Sequence, residues 1–231
     1  GYVALSVAKY LKTHLSAEKV AFIPPDELFQ LPGISIKGGL IEPVFIPKNE
    51  FYFWQSGDKS LLIFISESQP VPGKEYLLAN TVLDFAQSHG VKQVFTAAAM
   101  PVEMSHKDIP GVWAVGSDEE VIQRLTKQEI RLMQRGSISG MNGSLLGVAR
   151  ERGFKAICLL GEIPFYTVQI ENPKATKAVI EVFAVLTGIF VETTELDELG
   201  RYMEKEVDEY LKIAQEKGQS VIPPKGPETL H

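Results

Sequence analysis

Apolar positions recur along the chain with two different periods, which divide it into strands and helices. The opening segment places Val3, Val7, Tyr10 and Leu11 on one stripe, which predicts an amphipathic first helix. Residues 60–66 form a nearly continuous apolar run, typical of a strand in the middle of a parallel sheet. Three more apolar runs bounded by turn residues are predicted to be strands: 92–100, 111–117 and 153–161.

Segments with the apolar spacing of helices lie between these strands and after the last of them. Helices are predicted over 74–89, from Asp118 to about Arg124, from Pro173 to Thr187 and from Thr194 to Lys217. The last of them has an apolar stripe with steps of three and four residues, while its other faces are acidic. That acidic surface is interpreted either as a solvated face or as a contact for a basic partner.

Residues 19–56 have a different character from the rest of the chain. A short buried strand is predicted over 19–25, and Pro43 and Pro47 favour edge strands or a hairpin in the region that follows. The aromatic stretch 45–54 and the apolar stretch 183–191 exceed what one small domain is expected to bury. Exposed apolar patches of this kind usually mark interfaces, so a homo-oligomer is predicted.

Alternating strands and helices predict an α/β fold, a three-layer α/β/α sandwich around a mostly parallel central sheet. Residues 1–217 are expected to form a single domain, followed by a Pro-rich tail, 218–231. The chain opens directly in a helix, whereas an α/β protein usually feeds its first helix from a strand. A natural amino-terminal strand ahead of Gly1 is therefore expected.

Composition and charge exclude several classes of function. The formal net charge is −6 and the sequence pI is about 5.4, so the chain lacks the basic excess needed for nucleic-acid binding. No apolar run reaches the ~18 residues of a membrane span, and the opening lacks the basic segment of a signal peptide, so a cytoplasmic location is expected. Cys158 is the only cysteine and the four histidines lack ligand spacing, so no metal site is assigned.

Polar residues gather in the loops expected at the carboxyl edge of the sheet, where α/β proteins bind ligands. The candidate ligand-binding residues are Glu67, Gln69, Ser139, Asn142, Gly143 and Glu162. Glu67 and Glu162 each follow a predicted core strand, so they are expected to cluster with Gln69 and Asn142. The two carboxylates would act as acid and base, or would bind a cation with Asn142. The favoured role is a third one, in which they accept backbone N–H groups and hold the loops in place.

No complete catalytic motif is present. Residues 136–140 place Ile138 where a serine hydrolase needs its nucleophile, and the glycine-rich segment from Ser139 fits neither the Walker loop nor the dinucleotide fingerprint. That segment opens a helix, whose N-terminus would bind an anion or would simply be capped by Asn142 or Ser144. No catalytic residue and no cofactor is assigned, and His106 is expected to be solvated.

The order and spacing of several segments resemble the proteasome assembly chaperone family in its archaeal and bacterial single-chain form. The matching segments are GYVALSVAKYL, GISIKGGLIEPVFIP, LLIFISESQP and, most strongly, ISGMNGSLLGVARERGFKAICLLGEIPFYTVQIENPKATKAVIEVF. The resemblance implies a fold of the purine nucleoside phosphorylase type, and many such sequences carry an ATP-grasp or carboxylate–amine ligase label. It also implies docking on the proteasome through a tail with a penultimate tyrosine, whereas this chain ends in Thr229, Leu230 and His231.

Two functions therefore follow from the sequence. The favoured one is a non-enzymatic protein-binding module, an assembly chaperone or a chaperone-like paralogue. Its partners would be copies of itself, proteasome α-type subunits or a paralogous chaperone, with no nucleic acid and no membrane. The alternative is a small-molecule protein or enzyme that binds a nucleotide-like or nucleoside-like ligand at the loop edge around Glu67, Asn142 and Glu162.

Overall fold

A computed structural model describes residues 2–30, 33–216 and 229–230 of the chain. The helices are α1 (Val3–His14), α2 (Glu75–Ser88), α3 (Glu119–Lys127), α4 (Gly140–Glu151), α5 (Pro173–Thr187) and α6 (Thr194–Glu216), with a 3₁₀ turn at Phe165–Thr167. The longer strands are β1 (Glu18–Ile23), β4 (Asn49–Ser56), β5 (Lys59–Ser66), β6 (Gln93–Val102), β7 (Val112–Gly116) and β10 (Lys155–Pro164). The two-residue strands are β2 (Ile36–Lys37), β3 (Leu40–Ile41), β8 (Arg131–Leu132), β9 (Ser137–Ile138) and β11 (Thr229–Leu230).

The longer strands form two sheets. β1, β4 and β5 make an antiparallel sheet in that order, and β6, β10, β7 and β8 make a second sheet in that order. In the second sheet β10 runs parallel to β6 and antiparallel to β7, and β7 runs parallel to β8. The α/β class is as predicted, but the expectation of a mostly parallel sheet is wrong, because the strand directions are mixed.

Short connections explain the mixed directions. β4 and β5 are joined by the turn at Gly57 and Asp58, which makes them an antiparallel hairpin. Only residues 103–111 separate β6 from β7, and no helix lies between them. A parallel return needs a crossover of a dozen or more residues, so β7 comes back in the opposite direction on the far side of β10.

The core is built on both faces of β10, whose side chains alternate between them. Ile157, Leu159 and Ile163 pack with buried residues of α1 and α5 in the largest apolar cluster. Ala156 packs instead with the buried faces of α2 and α4. The near-continuous burial of β10 agrees with its predicted place inside a sheet.

The predicted elements are largely confirmed. α1 buries Val3, Val7, Tyr10 and Leu11, the stripe expected from the sequence. Asp118 caps α3 by accepting the N–H of Val121, and Gly188 ends α5 in the left-handed conformation at φ 68°. The segment predicted as a buried strand over 19–25 is a strand, but most of its side chains are exposed because it lies at the edge of its sheet.

Helix α6 is held by ion pairs as well as by its apolar stripe. Lys177 Nζ lies 2.7 Å from both carboxylate oxygens of Asp197, and Lys174 Nζ lies 2.7 Å from Glu204 Oε1. Part of the acidic surface of α6 therefore faces lysines of this same chain. Of the predicted tail, only Thr229–Leu230 falls within the described residues, where it pairs in parallel with Ser137–Ile138.

Candidate functional site

The loop edge borders a large cavity between the two sheets. The cavity has a volume of about 710 Å³, and four of the predicted site residues line it: Glu67, Gln69, Ser139 and Asn142. Most of the remaining lining is apolar and comes from α1, α2, α5, β5 and β6. The structure therefore brings these four residues to one opening, as the topology of the strands suggests.

Gln69 and Glu67 make hydrogen bonds that fix neighbouring loops. Gln69 Oε1 accepts the backbone N–H of Met141 at 2.8 Å, which satisfies one of the free donors in the first turn of α4. Glu67 Oε2 accepts the N–H of Lys48 at 3.1 Å, and the N–H of Glu67 donates to the Lys48 carbonyl at 3.0 Å. Both side chains join segments far apart in the sequence, so both support the shape of this edge.

The start of α4 depends on close backbone packing. Ser139 occupies the N-cap position, so the expectation that Asn142 or Ser144 caps the helix is wrong; both lie inside its first turns. Gly140 has φ 68°, and a Cβ atom on Gly143 would lie 1.9 Å from the carbonyl oxygen of Ile138. Glycine at position 143 thus lets the helix approach β9 closely.

Glu162 lies at a different place. It belongs to β10 itself, because that strand continues to Pro164, and its oxygens accept the backbone N–H of Gly111 and the indole N–H of Trp113, both at 2.7 Å. Arg131 is 3.8 Å from the carboxylate. Glu162 lines a second cavity of about 40 Å³, so the structure does not place it on the cavity that Glu67 and Asn142 share.

A network around His106 was not anticipated from the sequence. The expectation that His106 is solvated is wrong, since its side chain is only 10% exposed. Its Nδ1 lies 3.0 Å from the Tyr166 hydroxyl and its Nε2 lies 3.1 Å from Asp208 Oδ1. Lys107 bonds the same carboxylate, and chiefly this bond lowers the pKa of Asp208.

This network ties the loop after β6 to α6. Lys174 extends it by donating to the carbonyls of His106 and Lys107 at 3.2 and 2.8 Å. Tyr166 and Asp208 lie 60 and 102 residues from His106, so no local motif could have revealed the cluster. Its polar groups are bonded to one another, so the network stabilises the contact between the loop after β6 and α6.

An apolar arm extends from the first sheet. We define the arm as residues 34–46; it contains the hairpin of β2 and β3, whose turn glycines Gly38 and Gly39 both have positive φ. The arm exposes Ile36, Leu40 and Ile41 by 67%, 75% and 68% of their surface. Side chains this exposed leave the arm an apolar surface open to a partner.

The cysteine and two further histidines have well-defined surroundings. Cys158 is fully buried in β10, and burial raises the pKa of its thiol to about 11. The rings of His14 and His89 lie 3.0 and 2.8 Å from the carbonyls of Tyr10 and Phe85 near the ends of their helices. Across the described ranges, no group of three or more potential metal ligands comes together and no helix has the length and apolarity to cross a membrane.

The two sheets, the internally bonded loop edge and the exposed arm define an α/β protein with an exposed apolar surface. A family model described as PAC2 family matches residues 1–211, and the chain belongs to the PAC2 family.

Solved structures with the same fold include relatives named for proteasomes. PbaB of Pyrococcus furiosus, described as an archaeal proteasome activator, is 28% identical and aligns with a TM-score of 0.76 over 90% of this chain and 88% of its own. PbaA of the same organism, described as an archaeal homolog of proteasome-assembly chaperone, is 26% identical with a TM-score of 0.72 over 93% and 84%.

A sequence relative is an uncharacterized protein of Methanocaldococcus jannaschii, 27% identical over 169 residues. That alignment covers 72% of this chain and 64% of the relative, so the chain spans less than two thirds of the relative's length. These comparisons support the predicted resemblance to proteasome assembly chaperones.

Proposed function

We propose that this protein is a non-enzymatic chaperone, or a chaperone-like paralogue, that binds proteasome α-type subunits. The observation that carries the proposal is membership of the PAC2 family together with the likeness to PbaB and PbaA across at least 90% of the chain. The exposed apolar arm supports it, because a chaperone needs apolar surface outside its own core.

The same arm is the proposed contact between copies of this chain. Its isoleucines and leucine are exposed, and so is Phe22 of the edge strand β1. Burying such side chains contributes about 25 cal/mol for each Å² removed from water. A homo-oligomer, alone or with a paralogous chaperone, would therefore cover the arm and leave other faces for the proteasome subunit.

Two further expectations belong to this proposal. The helices would cover both faces of the sheets as a three-layer α/β/α sandwich of the purine nucleoside phosphorylase type, with residues 1–217 as one domain. The protein would act in the cytoplasm. Packing of α1 and α5 against one face of β10, and of α2 and α4 against the other, supports the layered arrangement.

The loop edge is assigned a supporting role in this proposal. Gln69 accepts the backbone N–H of Met141, and Glu67 accepts the backbone N–H of Lys48. No contact among the described residues favours the small-molecule alternative.

Binding to purified α-type subunits from the same source tests the proposal. We expect the two proteins to co-elute in size-exclusion chromatography with light scattering, and a double variant of the arm, Ile36→Lys with Leu40→Lys, to weaken this binding. Ile109→Lys is the matched control, because Ile109 is 90% exposed but lies outside the arm. Separate elution at concentrations of tens of micromolar, with and without a paralogue, would contradict the proposal.

A further inference from the structure

Strand β1 has a free outer edge. Among the residues that the structure describes, β1 is hydrogen-bonded to β4 alone, so its other edge has no partner strand. A free edge presents a row of backbone N–H and C=O groups to any extended chain that approaches it. The sheet of β1, β4 and β5 can therefore be extended at this edge.

The features that usually protect an edge strand are weak in β1. Edges are commonly protected by a proline or by an exposed lysine, and β1 contains no proline. Its one lysine, Lys19, is engaged within the sheet, because its Nζ lies 2.5 Å from Glu50 Oε1 and 5.6 Å from the centre of the Phe22 ring. Val20 and Phe22 are exposed over 51% and 64% of their surface. This edge is thus apolar where a protected edge is charged.

A β-bulge limits the length over which β1 can pair. The register with β4 shifts between Lys19 and Ala21, so Val20 has no opposite residue on β4. From Ala21 to Ile23 the register is regular. Pairing with a further strand is therefore expected to centre on the second half of β1.

The backbone of β1 allows few registers with a second copy of itself. In an antiparallel pair, opposite residues both direct their backbone groups at the partner strand or both direct them away. Because these directions alternate along a strand, a two-fold axis must lie beside a residue: Val20, Ala21 or Phe22. An axis at Val20 sets the two bulges against each other, and an axis at Phe22 sets Val20 opposite Pro24, which has no N–H.

The axis at Ala21 matches the exposed side chains. Val20 of each copy then lies opposite Phe22 of the other, so the exposed apolar residues form two cross-strand pairs. An aromatic residue opposite a β-branched one is among the favourable pairs in a sheet. Lys19 lies opposite Ile23, so no like charges face each other across the pair.

The arm begins where the second copy would lie. Ile23 is opposite Asn49 in the pair of β1 and β4, so residues 24–48 leave and rejoin the sheet at the Ile23 end of β1. In an antiparallel pair, that end lies beside the start of the other copy's β1. The strand is only about 20 Å long, whereas a stable dimer buries about 800 Å² on each copy. The exposed apolar side chains of the arm supply surface that the strand pair alone lacks.

We propose that two copies of this chain pair antiparallel through β1, with the two-fold axis beside Ala21, so that two three-stranded sheets join into one of six strands. The proposal rests on the homo-oligomer proposed above, and it names the strand and the register that form the contact. The arms extend the contact on either side of the axis. Such a contact is closed, because the free edge of each copy is used by the other.

Disulfide trapping tests the register. Ala21→Cys sets two thiols opposite each other with Cα atoms about 4.5–5.5 Å apart, a distance that a disulfide spans. Glu18→Cys is the matched control, because the same register holds the two positions 18 about 20 Å apart. Cys158 has no exposed surface and does not compete. Under mild oxidation, Ala21→Cys should form covalent dimers at least tenfold faster than Glu18→Cys, and equal rates would overturn the proposal.

Charge substitutions at the two exposed positions give an independent test. Val20→Lys with Phe22→Lys sets positive charges opposite each other twice, so the dimer dissociation constant should rise at least tenfold. Val20→Glu with Phe22→Lys sets the introduced acid of one copy opposite the introduced lysine of the other, so this variant should dimerise at least tenfold more tightly than the first. An axis at Val20 or at Phe22 would instead bring like charges together. Equal dissociation constants by sedimentation equilibrium would reject the axis at Ala21.

The outcomes separate this proposal from the proposed function. A wild-type particle heavier than 25.6 kDa, together with equal trapping rates, would reject the β1 pair and leave the arm as the contact between copies. A wild-type particle of 25.6 kDa would reject the β1 pair and the homo-oligomer together. Binding to α-type subunits is measured separately by co-elution, so neither result decides it.

Discussion

Trp113 donates its indole N–H to Glu162 Oε1 at 2.7 Å, across the antiparallel pair of β7 and β10. The other oxygen of the carboxylate accepts the N–H of Gly111 at the same distance, and the Glu162 side chain is only 16% exposed. The carboxylate thus holds the loop before β7 against the central strand. Two donors would lose their acceptor if it were removed.

Glu162→Ala should therefore lower the free energy of unfolding by about 1–3 kcal/mol, because it leaves two partly buried donors without their acceptor. Glu162→Gln should lose less, since its amide oxygen can still accept one of the two bonds. Glu103→Ala is the control at an exposed position of the neighbouring loop and should change stability by no more than about 0.5 kcal/mol. Urea denaturation measures all three; wild-type stability in Glu162→Ala would exclude a structural role.

Gly143 and Gly147 lie one turn apart in α4 but differ in the space that is available to a side chain. A Cβ on Gly143 would meet the Ile138 carbonyl oxygen at 1.9 Å, whereas a Cβ on Gly147 has no heavy atom within 4 Å. Gly143→Ala should destabilise the protein by about 1–3 kcal/mol through overpacking. Gly147→Ala should be neutral or should stabilise it by up to about 1 kcal/mol, because alanine favours the helix. Equal melting temperatures for the two variants would contradict the close approach of α4 to β9.

Tyr52 makes stability sensitive to alkaline pH. Its hydroxyl donates to Glu50 Oε2 at 2.5 Å, and this bond raises the pKa of Tyr52 to about 12. Because the folded state holds this proton more tightly than the unfolded state, the stabilisation is complete below about pH 10 and is lost as the pH rises toward 12.

Urea denaturation at several values between pH 9 and 12 measures this effect. The free energy of unfolding should fall more steeply with pH in the wild type than in Tyr52→Phe. Burial of Cys158 also raises a pKa, to about 11, but it contributes equally to both proteins. Parallel pH profiles for the two proteins would show that the Tyr52–Glu50 bond does not form in solution.

The apolar arm should control the particle mass. Light scattering at micromolar concentration should give a mass well above the 25.6 kDa of one chain, because an oligomer would cover Leu40 and Ile41. Leu40→Lys with Ile41→Lys should shift the mass toward one chain, while Ile109→Lys should not. A wild-type particle of 25.6 kDa would refute the oligomer.

Periodicity predicted most of the fold. The stripe of α1 and the apolar run of β10 are long enough for burial on one face, or on two, to leave a clear pattern. Strands of two residues such as β8 and β9 have no period to detect, and they form only because β7 and β11 lie beside them. Strand direction also escaped prediction, since it follows from connection length and pairing rather than from side-chain alternation.

The candidate site was predictable only in part. Glu67, Gln69 and Asn142 lie at one opening because their loops follow or precede elements that meet there. The apolar run predicts that β10 ends before Glu162, but the strand continues past it to Pro164, and the Glu162 carboxylate accepts the indole N–H of Trp113. An error of a few residues in the predicted end of a strand is enough to place a residue such as Glu162 in a loop when it belongs to the strand. The His106 network depends on contacts between distant segments and left no local signal.

The buried thiol of Cys158 offers a way to measure how often the second sheet opens. The residue lies in the middle of β10, between β6 and β7, and its side chain has no exposed surface. A thiol reagent can reach it only after that strand has separated from a neighbour or from the helices above it. No second cysteine competes for the reagent. When the reagent is concentrated enough to react faster than the sheet recloses, the rate of modification gives the lifetime of the closed sheet without any engineered label.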